Sequence, residues 1–254
     1  MVSKSIAFPN PDGETLSARL DFPEAQEPVA FALFAHCFTC TKHSKTAAHI
    51  GKSLTRKGLA VLRFDFTGLG ESEGDFSATN FSSNVKDLIA AADFMRKNHQ
   101  VPRLLIGHSF GGTACLQAAV KIKGVSAVAV IGSPADPRHI EHILEPVRQQ
   151  IMKTGQAELL LADRPIRIKK QFIEDLEKID IEKLLPGLQR ALLILHSPAD
   201  TVVGIDNAAR LYQAAGHPKS FISLDTADHM LSDPEDAAYC GRMIAEWATR
   251  YISS

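Results

Sequence analysis

Five short apolar runs constrain the fold of this chain of 254 residues more than any other feature. Each run is almost continuously hydrophobic, which is typical of strands in a parallel sheet that helices cover on both faces. The runs occupy residues 29–36, 59–66, 103–108, 125–132 and 191–197. Residues 220–224 form a shorter sixth candidate. The more alternating stretch 15–23 predicts an antiparallel strand at the edge of the sheet.

Segments with helical periodicity separate most of these runs. The four clearest segments are residues 80–98, 110–122, 206–215 and 235–252. Alternating strands and helices predict an α/β protein with a mostly parallel, twisted sheet and helices on both faces. The length of the chain fits a single domain over residues 1–254.

One insertion, residues 135–188, interrupts the alternation, and we predict no strand in it. Residues 139–155 and 167–179 have the spacing of amphipathic helices. The segment is too long for an ordinary loop, so we predict a small helical cap above a site at the strand ends. An additional pair of surface helices is the alternative.

The composition excludes several classes of function. The 28 basic and 29 acidic side chains give a net charge of −1, which does not favour nucleic acid as a partner. No apolar run reaches the length of a membrane span, and we expect no secretory signal and no membrane association. Four cysteines in a chain of this length do not form a disulfide framework, so we expect a reducing cytoplasm.

Residues 107–111, Gly-His-Ser-Phe-Gly, form a Gly-x-Ser-x-Gly motif between a predicted strand and a predicted helix. In this context a serine occupies a sharp, strained turn that exposes its hydroxyl group. Larger side chains at Gly107 or Gly111 would collide with neighbouring backbone. We therefore predict a nucleophile elbow at Gly107, His108 and Gly111, with Ser109 as the nucleophile.

A serine nucleophile needs a base, and that base needs an acid to orient it. Asp200 follows the predicted strand at 191–197, and His229 follows the one at 220–224. Both would lie with Ser109 at the carboxyl edge of the sheet, so we predict Asp200 as the acid and His229 as the base. Among the competing residues, we expect His196 to be a polar residue of the core and Asp206 to be a helix N-cap.

Two backbone N–H groups are the expected donors of an oxyanion hole. Phe110 lies at the start of the helix after Ser109, and Phe38 lies in the loop after the first predicted strand. Cys37 and Cys40 flank Phe38 as a Cys-x-x-Cys pair, which we interpret as packing residues. A redox pair is the alternative, and a metal site is weaker because no second ligand pair has zinc spacing.

Taken together, these residues resemble the α/β-hydrolase family of serine esterases. "HCFT" is similar to its oxyanion loop, with Cys37 in place of a glycine, and "DFTGLGES" is similar to its Asp-x-x-Gly-x-Gly-x-Ser turn. "AHCFTCTK" and "HPKSFISLDTADH" resemble the hydrolase half of bacterial proteins that fuse this fold to an OsmC-like domain. The resemblance implies an α/β-hydrolase fold, and a fused or separate OsmC-like partner domain in relatives.

The motifs therefore predict a carboxylesterase that cleaves small-molecule esters through an acyl-enzyme. The modest cap and the lack of a membrane-binding segment favour soluble esters with short acyl chains. We expect no metal and no organic cofactor. A thioesterase, a lysophospholipase or a perhydrolase with the same triad is the alternative among enzymes. A redox or stress-linked protein that uses Cys37 and Cys40 is the alternative of a different class. The sequence does not indicate the oligomeric state.

Overall fold

The computed structural model describes residues 1–24, 26–161 and 164–252. The strands of these residues are β1 Val2–Pro9, β2 Thr15–Phe22, β3 Ala30–Ala35, β4 Leu59–Phe64, β5 Leu104–His108, β6 Ala127–Ile131, β7 Gln156–Leu161, β8 Arg164–Lys169, β9 Ala191–His196 and β10 Lys219–Ser223. Within this part of the chain, eight strands form one sheet in the order β1-β2-β4-β3-β5-β6-β9-β10. All neighbouring pairs from β4 to β10 in that order are parallel, and the β1–β2 and β2–β4 pairs are antiparallel.

The helices cover both faces of the sheet. They are α1 Lys45–Arg56, α2 Phe81–Asn98, α3 Phe110–Ala119, α4 Glu141–Thr154, α5 Lys170–Leu176, α6 Ile181–Leu184, α7 Asp206–Ala214 and α8 Pro234–Ile252. Apolar residues of α2, α3, α4, α5 and α7 belong to the core on one face, and those of α1 and α8 belong to the core on the other. Along β3, Leu33 faces the first core and Phe34 the second. A strand that is buried on both sides is hydrophobic at successive positions, which explains the continuous apolar runs.

The sequence predicts the main sheet correctly. All six apolar runs are strands, and the predicted α/β architecture with a mostly parallel sheet and helices on both faces is confirmed. Residues 15–22 form an antiparallel strand as expected, but this strand does not lie at the edge of the sheet. The edge is β1, which pairs with β2 from Val2 opposite Phe22 to Pro9 opposite Thr15.

The prediction for residues 135–188 is partly wrong. The segment contains helices, but it also contains β7 and β8, which pair with each other as an antiparallel hairpin. Residues 167–169, which we assigned to a helix, are the end of β8, and α5 begins at Lys170. The insertion therefore consists of helices and a hairpin.

Candidate active site

The three side chains predicted as nucleophile, acid and base meet at the carboxyl edge of the sheet. Ser109 follows β5, Asp200 follows β9, and His229 follows β10. Because β5, β6, β9 and β10 run parallel side by side, the loops after these strands open at the same edge. Residues that are up to 120 positions apart in the chain thereby become neighbours.

The turn at Ser109 forces its side chain into the open. Ser109 has φ 54° and ψ −127°, an unfavourable conformation for a residue with a side chain. A Cβ atom on Gly107 would lie 2.4 Å from the Cα of Gly112, and one on Gly111 would lie 2.3 Å from the carbonyl oxygen of His36. The elbow packs so closely against its own helix and against the end of β3 that only glycine fits at these two positions.

A chain of hydrogen bonds connects the three side chains. The Ser109 hydroxyl group donates to Nε2 of His229 over 3.0 Å, and Nδ1 of His229 donates to Oδ2 of Asp200 over 2.7 Å. His229 and Asp200 are buried, whereas Ser109 is half-buried. The arrangement gives the serine a proton acceptor and fixes the imidazole in one tautomer.

The surroundings of Asp200 keep it ionised. Burial alone would raise the pKa of Asp200, but hydrogen bonds from His229 and from the amides of Val203 and Val202 hold this pKa below its usual value. A charged carboxylate beside Nδ1 stabilises an imidazolium ion, so proton transfer from Ser109 to His229 becomes more favourable.

Donors for an oxyanion are available at the start of α3. Ser109 is the N-cap of this helix and makes no capping hydrogen bond with its side chain. The first amides of a helix have no partner within the helix, so the amide of Phe110 can donate to an anion beside Ser109. Phe38, the second predicted donor, lies in the loop after β3, and its ring is 5.5 Å from that of Phe110.

Cys37 and Cys40 form a disulfide bond within this loop, with their Cα atoms 5.3 Å apart. The interpretation of both residues as packing cysteines is therefore wrong. The bond closes the turn that holds Phe38 and Thr39, next to the site. The other two cysteines, Cys115 and Cys240, are buried free thiols, and burial raises the pKa of both.

Two residues support the site in ways that sequence reasoning did not find. Nε2 of His108 donates to the backbone oxygen of His229 over 2.7 Å, which ties the elbow to the loop of the base. Gly132, at φ 52°, lies so close to the acid and base that a Cβ atom would be 3.2 Å from Oδ2 of Asp200. In the sequence, His108 could have been noticed because it is a polar residue at the first variable position of the Gly-x-Ser-x-Gly motif. Nothing in the sequence around Gly132 distinguishes it from other glycines.

The competing residues do not take the position of the base, although His196 lies beside the acid, with its Nε2 3.6 Å from Oδ2 of Asp200. His196 is buried and donates through Nε2 to the backbone oxygen of Val203, so it supports the loop that carries Asp200. Burial lowers the pKa of His196, which keeps it neutral. The expectation that Asp206 caps a helix is wrong, because Asp206 is the first residue of α7 and Ile205 occupies the cap position.

The insertion reaches the site through α5. The ring of Phe172 lies 5.7 Å from that of Phe38 and 6.4 Å from that of Phe110. Asp175 accepts hydrogen bonds from the amide and the hydroxyl group of Ser82, which attaches α5 to the start of α2. The insertion is thus fixed to the domain beside both predicted oxyanion donors.

Among residues 1–24, 26–161 and 164–252, no cluster of His, Cys, Asp or Glu side chains could hold a metal ion. No helix in the same residues is long and apolar enough to span a membrane. At the carboxyl edge of the sheet, the described side chains present a serine hydroxyl group, an imidazole and a carboxylate connected by hydrogen bonds.

The fold and the serine-centred site define a hydrolase of the serine type on the α/β-hydrolase fold. A family model described as serine aminopeptidase, S33 matches residues 26–173, which is more than half of the chain. The chain belongs to this family. The solved esterase domain of a Rhodothermus marinus protein is 48% identical, with 99% of this chain and 100% of that one covered, and its TM-score is 0.81.

Two curated relatives act on different substrates by name. The human monoglyceride lipase is 31% identical over 49% of this chain and 41% of its own length. The mouse mitochondrial palmitoyl-protein thioesterase ABHD10 is 25% identical over 70% of this chain and 62% of its own length. The chain thus spans about half the length of these relatives. The resemblance to OsmC-like fusion proteins stays a prediction.

Proposed function

We propose that this protein hydrolyses carboxylic esters through an acyl-enzyme, with Ser109 as nucleophile, His229 as base and Asp200 as the orienting acid. The observation that carries this proposal is the continuous hydrogen-bonded path from Ser109 Oγ through His229 to Asp200. In the first step, Ser109 attacks the ester carbonyl carbon while His229 takes the hydroxyl proton.

The amides of Phe38 and Phe110 hold the oxyanion that forms in this step. Such a donor acts best when it is fixed before the reaction, and a helix N-terminus provides fixed donors. His229 then gives its proton to the leaving alcohol. A water molecule, activated by the same imidazole, releases the acid and restores Ser109.

The proposed substrates are esters with short acyl chains. The rings of Phe38, Phe110 and Phe172 contact one another beside the nucleophile, and the latter two are buried. These rings occupy space that a long acyl chain would need. The insertion that contributes Phe172 acts as a cap over this side of the site.

Thioester hydrolysis is the second candidate. The similarity to a palmitoyl-protein thioesterase favours testing it, because the same nucleophile, base and oxyanion donors serve both leaving groups. To distinguish the two activities, we compare the kcat/KM values for an oxygen ester and a thioester with the same acyl group.

A chain-length series of nitrophenyl esters tests the proposal. We expect the highest kcat/KM for acetate or butyrate, and a fall of kcat by roughly 10⁴–10⁶ in Ser109→Ala and about 10⁴ in Asp200→Asn. A serine-directed phosphonate should label the wild type at Ser109. Ser126→Ala, at the opposite end of the sheet before β6, is the matched control and should keep full activity.

Ester hydrolysis that survives in Ser109→Ala at the wild-type rate would contradict the proposed nucleophile. A preference for long acyl chains with an inactive Ser109→Ala variant would retain the nucleophile and contradict the assignment of short-chain substrates.

A further inference from the structure

The loop after β3 contains a four-residue turn that is closed twice. The amide of Cys40 donates to the carbonyl oxygen of Cys37 over 3.1 Å, and the disulfide bond joins the same two residues. Phe38 and Thr39 occupy the middle of the turn. Phe38 carries one of the two proposed oxyanion donors, so the shape of this turn sets the direction of that N–H group.

Thr39 makes the turn unfavourable by itself. Its φ is 62°, in the left-handed region that β-branched residues rarely adopt. Such a conformation persists only where the surroundings impose it. The disulfide bond is a covalent constraint on either side of this residue.

The two ends of the loop are held independently of the disulfide bond. Nδ1 of His36 donates to the carbonyl oxygen of Cys37 over 2.8 Å. The amide of Lys42 donates to Oδ1 of Asp65 over 2.6 Å, and its ammonium group forms ion pairs with Asp65 and Glu71. Opening the disulfide bond therefore leaves the turn at Phe38 and Thr39 closed by one backbone hydrogen bond alone, while the ends of the loop stay held.

We propose that the Cys37–Cys40 disulfide bond positions the amide of Phe38, so that a thiol reductant lowers the hydrolase activity reversibly. This inference rests on the proposed function and adds redox regulation of the same site. The exposure of its residues makes the Cys37–Cys40 pair suitable for reversible reduction. Cys37 is buried and Cys40 half-buried, whereas the free thiols Cys115 and Cys240 are both buried.

The chemistry is an ordinary thiol–disulfide exchange with a dithiol. A thiolate of the reductant attacks Sγ of Cys40, which is the less buried of the two residues, and the bond to Cys37 breaks as Cys37 leaves as a thiolate. The second thiol of the reductant then displaces Cys40 and closes the reductant as a cyclic disulfide. The protein gains two electrons and two protons, and the reductant loses both.

Reduction should lower kcat by about tenfold and leave KM within about twofold. Removal of one oxyanion donor typically lowers kcat by about 10²–10³, and a released turn still samples the productive geometry for part of the time. The donor acts on the developing oxyanion rather than on the bound ester, so the effect belongs to kcat.

The experiment compares oxidised and dithiothreitol-treated protein after anaerobic removal of the reductant, with nitrophenyl acetate as substrate. Alkylation with iodoacetamide followed by mass spectrometry reports whether Cys37 and Cys40 are open. We expect the kcat of the reduced protein to return when the bond is re-formed by oxidised dithiothreitol. The Cys37→Ser, Cys40→Ser double variant should have the lower kcat from the start and should not respond to the reductant.

Thr39→Asn separates an effect on the turn from a general effect of reduction. Asparagine tolerates the left-handed region, so the turn should persist without the bond and the fall in kcat should shrink below about threefold. An unchanged kcat in wild-type protein with both cysteines alkylated would overturn the inference, as would an equal fall in Thr39→Asn. Full activity of Ser109→Ala would instead overturn the proposed function, whatever the reductant does.

Discussion

The sequence predicts the elbow, residues 107–111, much better than it predicts the insertion, residues 135–188. In the elbow, the backbone alone decides which residues fit. Cβ atoms on Gly107 and Gly111 would lie 2.4 and 2.3 Å from other backbone atoms. In the insertion, the structure depends on what each segment packs against. A motif that encodes a steric requirement is therefore informative by itself, whereas a pattern of hydrophobicity needs its context.

The hairpin of the insertion shows why context matters. In β8, the apolar residues Ile166 and Ile168 alternate with charged ones, and the apolar residues Phe172 and Ile173 of α5 follow at once. Read as one segment, this pattern resembles an amphipathic helix that begins before residue 170. The strand exists because β7 pairs with it from Gln156 opposite Lys169 to Leu161 opposite Arg164.

The largest expected difference between the elbow and the insertion is the effect of a glycine-to-alanine substitution on the free energy of unfolding. Gly111→Ala brings a Cβ atom within 2.3 Å of the His36 carbonyl oxygen and 2.6 Å of the Ala35 carbonyl oxygen. Neither backbone group can move without shifting β3, so we expect the free energy of unfolding to fall by about 3 kcal/mol. Urea denaturation followed by circular dichroism measures this loss.

Gly187→Ala is the matched control in the insertion. No heavy atom lies within 4 Å of the Cβ atom that it adds. We expect a change in the free energy of unfolding between zero and a gain of about 1 kcal/mol. Similar losses for both variants would mean that the elbow is not under a special steric requirement.

A buried histidine gives the elbow a pH dependence. Burial, with a smaller contribution from His229, lowers the pKa of His108 from 6.5 to about 4. Between these values the unfolded chain binds a proton that the folded protein does not, so stability is lost as the pH falls through this window. From pH 7 to pH 5, His108 should account for a loss of about 2 kcal/mol.

Comparison with His108→Gln isolates this contribution, because glutamine can still donate to the backbone oxygen of His229.

Other groups also titrate in this range. Burial raises the pKa of Asp87 to about 6, which opposes the loss, but Asp87 is common to both proteins. We expect urea denaturation to show about 2 kcal/mol less acid destabilisation in His108→Gln. His142→Gln, at an exposed position in the insertion, should behave as the wild type does.

The same distinction explains how much of the candidate site could be predicted. Ser109, Asp200 and His229 could be predicted as candidates because Ser109 and Asp200 follow buried strands and His229 follows the more exposed edge strand β10. Parallel strands bring their ends to one edge of the sheet. The role of Gly132 and the contact of His108 with His229 could not be predicted, because both depend on how two loops meet in space. The disulfide bond was missed because the spacing of Cys37 and Cys40 does not define the turn between them.

The smallest expected effect tests whether the insertion belongs to the site at all. Phe172 is buried and contacts Phe38 and Phe110, so Phe172→Leu should open space beside the nucleophile while most of the packing remains. We expect kcat/KM for a hexanoyl ester to rise about threefold relative to acetate, which corresponds to roughly 0.7 kcal/mol. Leu160→Ser, on the exposed hairpin, is the control and should leave this ratio unchanged. An unchanged ratio in Phe172→Leu would mean that the insertion packs on the domain without limiting the substrate. The insertion would then differ from the elbow in function as well as in its predictability.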